Sequence, residues 1–148
     1  MQEINFGTWI KPMPYIYLIF IFPFSFNRFA VLGTAFLMGA VLDAFSNTPG
    51  HHAAACTVLA FARIHTDTQL VDRDAVQLQG YHNIQPGFKG FTYFAVYTTL
   101  LTLLHHLVFF SFMYFKISAF FLIILVSLLS TLATFALMML YRVIVKPR

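Results

Sequence analysis

Five apolar segments alternate with polar breaks along this chain. They cover 14–26, 29–42, 53–64, 91–115 and 117–145, and one long polar stretch, 65–90, separates the third from the fourth. At 1.5 Å per helical residue the last two reach roughly 37 and 43 Å, enough to cross a ~30 Å hydrocarbon core with tilt. The first three alone reach only about 20 Å. Thr8 to Pro12, Asp43 to Ser46 and Thr48 to His52 are positioned to extend them. The pattern therefore predicts helical spans over about 13–26, 28–45, 50–64, 91–115 and 117–145, with a loop over 65–90. Pro12, Pro14 and Pro23 bracket or bend the first, because proline lacks a backbone donor and clashes with the preceding turn. The expected fold is one all-α integral-membrane domain with about five transmembrane helices.

Composition points the same way. Of 148 residues, 59% are hydrophobic, 18% aromatic and only 9% charged. A soluble domain is about 45–50% apolar and about 25% charged, so too few charges are present to cover a water-exposed surface. The net charge of +4 does not indicate nucleic acid, since the basic residues lie singly between apolar segments instead of forming a patch. The one cysteine, Cys56, lies in an apolar segment and reads as a packing residue. The start, Met1 to Lys11, has no apolar core behind a basic head, so no cleavable signal peptide is expected.

The cations serve as topology markers. With the C-terminus in the cytoplasm, Arg28, Arg63, Arg73, Lys89, Arg142, Lys146 and Arg148 fall inside, and only Lys11 and Lys116 fall outside. This orientation makes 65–90 a cytoplasmic loop and places the Ser46 to Gly50 turn outside. Five spans then put the N-terminus outside, which leads us to expect one further inside-to-outside helix upstream.

Chemistry concentrates between Asp43 and Thr57. Asn47-Thr48-Pro49-Gly50 is turn chemistry, with proline presetting one dihedral and glycine accepting a positive one. Asp43 has two readings: a boundary residue that caps the following turn, or a costly ionisable group with a partner role. Ala53, Ala54, Ala55, Cys56, Thr57 and Ala60 form a small-residue face, and Gly33, Ala35 and Gly39 form another. Such faces let helix backbones approach closely, within the protein or at a partner. His105 and His106 lie mid-segment, where polar packing competes with haem or metal ligation. A second haem ligand would have to come from His51, His52 or His65. Asp67, Asp72, Asp74, Arg73 and His82 read as a solvated linker. No nucleophile–base set, phosphate loop or metal motif is present, so no catalytic residue, cofactor or metal is assigned.

The run Leu42-Asp43-Ala44-Phe45-Ser46-Asn47-Thr48-Pro49-Gly50-His51-His52-Ala53-Ala54-Ala55, followed by Thr57, Leu59, Ala60 and Phe61, resembles the MreD family of rod-shape-determining membrane proteins, most closely the form of Bacteroidetes-type bacteria. Trp9 to Tyr17 and Leu103 to His106 fit the same family, so the resemblance covers the chain from about Asn5 onward. It implies a non-enzymatic, multi-pass inner-membrane scaffold of the cell-elongation machinery. Its partners would be MreC, with MreB, RodA and the RodA transpeptidase directly or indirectly, in contact with membrane lipids. It further implies a fold similar to the six-helix substrate-binding components of vitamin transporters, here without the first helix. Carried over by position, the signature residues are Asp43, Phe45, Ser46, Pro49, Gly50, His52, Ala53, Ala54 and Thr57, to which the packing argument adds Gly39. The alternative is a solute-binding component of a vitamin-type transporter, with Trp9, Tyr15, Tyr17 and Tyr97 lining a pocket.

Overall fold

A computed structural model describes residues 10–21, 27–70 and 91–144. Among them are five α-helices and no strands: α1 (Ile16–Ile21), α2 (Arg28–Ser46), α3 (His51–Leu70), α4 (Phe91–Tyr114) and α5 (Phe120–Ile144). A short 3-10 turn, Ile117–Ala119, leads into α5. Three helices, at Arg28–Ser46, Phe94–Tyr114 and Phe120–Tyr141, are long and apolar enough to cross a membrane. The protein is a helical membrane protein.

Each boundary has a local cause. Asn27 caps α2 by accepting the Phe29 amide at 3.1 Å. Asn47 ends it in the left-handed region at φ 56°, which a short polar side chain tolerates better than most. Gly50 opens α3 at φ +82°, with open space where a Cβ would lie.

Several boundaries differ from the expected ones. The first span was expected from about residue 13, but 13–15 is a turn, and the described helix is only Ile16–Ile21. Pro12 and Pro14 have no amide to donate, and each disfavours helical backbone at the residue before it. α3 runs to Leu70 rather than ending at 64, because 65–70 contains no proline or glycine and continues the helix in polar residues. The same polar residues keep α3 below the apolarity of a membrane span, although at twenty residues it is one longer than α2. Residues 71–90, the rest of the expected loop, lie outside the described residues, as does Trp9.

The helices pack in the order α2, α3, α4, α5, with α1 against α3. α2 buries one narrow stripe, Val31, Ala35, Gly39 and Asp43, each four residues from the last. Phe29, Phe36, Leu37, Val41 and Phe45 on its other faces are exposed. The main core joins Ile16, Ile19 and Phe20 of α1 to Leu59 of α3, Phe109 and Phe110 of α4, and Val126 and Met138 of α5.

One end of the bundle holds the α2–α3 turn, Lys11 and the C-terminus of α4. His51 stacks on Phe112 with centroids 6.4 Å apart, and the Lys11 ammonium lies 3.8 Å from Met113 Sδ. Arg63, counted among the inside cations, is buried within α3, and its guanidinium donates to the Ile19 carbonyl. A carbonyl near the C-terminal end of α1 is a favourable acceptor for a cation.

Candidate functional site

The motif over 43–57 divides into an inward and an outward half. Asp43 is buried, and its carboxylate stands over the N-terminus of α3. Oδ1 accepts from the Thr48 hydroxyl at 2.6 Å and the His52 amide at 2.9 Å, and Oδ2 accepts from the Ala53 amide at 2.9 Å. These amides belong to the first turn of α3, whose donors have no intrahelical partner and whose dipole favours negative charge. Asp43 therefore lies in the last turns of one helix and caps the next.

One turn back, Gly39 brings α2 against the same helix start. A Cβ there would fall 2.5 Å from Ala53 Cα and 2.6 Å from the His52 carbonyl oxygen. Both neighbours are backbone and cannot rotate away. Ala53 is buried and Ala54 half-buried, while the Thr57 hydroxyl bonds back to the Ala53 carbonyl at 2.7 Å. Phe45, Ser46, Pro49 and Gly50 form the outward half. All four are exposed, and Phe45 most of all, at 87%.

Below the turn lies a buried polar cluster. The Tyr15 hydroxyl is 2.7 Å from His52 Nδ1, 3.2 Å from Met13 Sδ and 3.4 Å from His105 Nε2. Cys56 Sγ lies 3.7 Å from that same His105 nitrogen. His105 and His106 are fully buried, with their rings edge to face at 5.5 Å between centroids, and they bond to different partners. His106 Nδ1 is 2.8 Å from the Thr102 carbonyl, which can only accept, so this nitrogen carries the proton. Its Nε2 is 3.4 Å from the Thr134 hydroxyl.

The segment before α1 is held by α5. Lys11 and Met13 donate their amides to Ser130 Oγ and Thr134 Oγ1, each at 3.1 Å. Pro12 and Pro14, between and after them, have no amide to satisfy. Irregular backbone persists at membrane depth only where protein satisfies it. The alternation Lys-Pro-Met-Pro against two hydroxyls four residues apart meets that condition.

Sequence reasoning found the Asp43 cap among its two readings, but not the Tyr15 cluster or the hydroxyl clamp. The alternating prolines and the stripe Ser127, Ser130, Thr131, Thr134 were the available signals. Of the aromatics expected to line a pocket, Tyr15 and Tyr17 line a groove of about 330 Å³ with Leu137 and Tyr141, and Tyr97 packs edge-on to Phe20. Among the described residues no three His, Cys, Asp or Glu side chains converge to hold a metal ion. Comparison with protein-family models, with curated proteins and with solved structures finds no match to this chain.

Proposed function

We propose that the chain is an MreD-like, non-enzymatic scaffold of the bacterial cell-elongation machinery, in the inner membrane, and that it presents the α2–α3 corner to the membrane helix of MreC. The observation that supports this reading is the division of the motif. Gly39, Asp43, His52 and Ala53 lock two helices together, and Phe45, Ser46, Pro49 and Gly50 are left on the surface of that locked corner. A large aromatic at 87% exposure on a rigid corner suits a helix–helix contact in lipid, which depends on close packing. RodA, its transpeptidase and MreB join through MreC or directly.

The orientation follows from charge. Without the buried Arg63, the balance is still Arg28, Arg73, Lys89, Arg142, Lys146 and Arg148 against Lys11 and Lys116. The C-terminus is cytoplasmic and the corner outside. Lys11 and the α2–α3 turn share one end of the bundle, as this requires.

The test is recovery of MreC from native membranes by tagged chain. Phe45→Ala lowers it several-fold while leaving insertion intact; unchanged recovery refutes the corner as the contact. Gly39 and Asp43 variants do not make this test, because both residues hold α2 to α3.

A solute-binding role draws support from the groove at Tyr15, Tyr17 and Tyr141. A small molecule retained through purification, identified by mass spectrometry together with ATPase subunits, would favour it.

A further inference from the structure

We propose that His52 is a proton-binding site and that the Tyr15 hydroxyl, which lies between His52 Nδ1 and Met13 Sδ, reports its protonation to the segment clamped on α5.

The argument is one of donor counting. Tyr15 has a single proton and three neighbours: His52 Nδ1 at 2.7 Å, Met13 Sδ at 3.2 Å and His105 Nε2 at 3.4 Å. With His52 neutral and Nδ1 unprotonated, the hydroxyl donates to that nitrogen, the strongest acceptor and the shortest contact. His105 Nε2–H then donates to the phenol oxygen. When His52 takes a proton from solvent, one N–H bond forms at Nδ1, and this N–H points at the phenol oxygen. The Tyr15 proton must leave that direction. His105 already donates to the oxygen, so the hydroxyl turns to the thioether of Met13. One proton enters, the charge rests on His52, and no other bond to hydrogen is broken.

The surroundings fit such a site. Facing His52 are Asp43 from α2, Tyr15 and Lys11 from the segment before α1, His51 from its own helix and His105 from α4. The ring of Phe109 from α4, which does not titrate, lies with its centroid 4.5 Å from that of His52. Among the described residues facing it, Asp43 is the one carboxylate, and it already accepts the backbone amide of His52. The His52 ring lies at the corner end of the bundle, two residues from the exposed Gly50. Met13 is a responsive end point because its amide is fastened to Thr134 at 3.1 Å. A change in the Tyr15 hydroxyl thus acts on a segment that bridges α3, α4 and α5.

The test uses the full chain in lipid bilayers, with ¹⁵N-histidine for ring-nitrogen NMR and Raman spectroscopy of the tyrosine ring, from neutral to acid pH. Tyr15 is isolated by difference against Tyr15→Phe. The expected result is that His52 becomes protonated on both nitrogens, and that Tyr15 changes from hydrogen-bond donor toward imidazole to acceptor with the same midpoint. In His52→Gln the tyrosine change disappears. Constant Tyr15 signals while His52 titrates overturn the proposal, as does a His52 that stays neutral throughout. The co-titration in unaltered protein decides the matter even if His52→Gln fails to fold.

Discussion

Gly39 and Ala53 touch backbone to backbone: a Cβ on Gly39 would lie 2.5 Å from the Ala53 Cα. The glycine is present because α2 crosses the start of α3 too closely for any side chain. Gly39→Ala is expected to destabilise the protein by roughly 1–3 kcal/mol, the usual cost of overpacking, or more if the backbone cannot shift. Gly33, on the same helix, has open space at its Cβ. Gly33→Ala should leave stability unchanged or raise it by up to about 1 kcal/mol through helix propensity. Thermal unfolding of both variants in one detergent checks the contrast.

Asp43 is expected to act as a cap through both oxygens. Asp43→Ala strands the His52 and Ala53 amides and the Thr48 hydroxyl, at a cost of about 1.5–3 kcal/mol. Asp43→Asn can keep the two bonds made by Oδ1 but sets its amide group against the Ala53 amide, so its loss should be intermediate. The order wild type, Asn, Ala in unfolding midpoint is the expected outcome.

The hydroxyls of α4 and α5 are not equivalent. Thr134 accepts the Met13 amide, and Thr134→Val leaves that buried donor unsatisfied, costing about 1–3 kcal/mol. Thr102 Oγ1 and Ser127 Oγ are buried with no hydrogen-bond partner among the described residues. Thr102→Val and Ser127→Ala should therefore be neutral or stabilising by about 1 kcal/mol. Unfolding midpoints of the three variants distinguish the clamp from the unpartnered hydroxyls.

Much of this was legible in the chain. The long apolar runs at 91–115 and 117–145 gave α4 and α5 within a few residues, because apolar length alone marks a span. The turn at 47–50 was legible because Asn47 and Gly50 are the residues that left-handed backbone selects. The end of α3 is not, since 65–70 is polar yet helical, and polarity alone does not separate a loop from a helix that continues into polar residues. The Tyr15 cluster was hidden for another reason. Its contacts join residues 37 and 90 positions apart, and no local pattern encodes such pairs. Ser130 and Thr134 read locally as hydroxyls bonding within their own helix, and Thr134 does so, to the Ser130 carbonyl. Their second role appears only when Lys11 and Met13 are beside them.

Phe45 bears most directly on function, because it is the one large apolar side chain of the motif that the fold does not use. Its 87% exposure predicts that Phe45→Ala changes stability by less than about 0.5 kcal/mol. The decisive measurement is quantitative recovery of MreC with tagged wild-type and Phe45→Ala chains from the same membranes, at matched insertion. A several-fold loss of MreC at unchanged stability is the predicted result. Equal recovery, or no MreC with either chain, would contradict the scaffold reading of the α2–α3 corner.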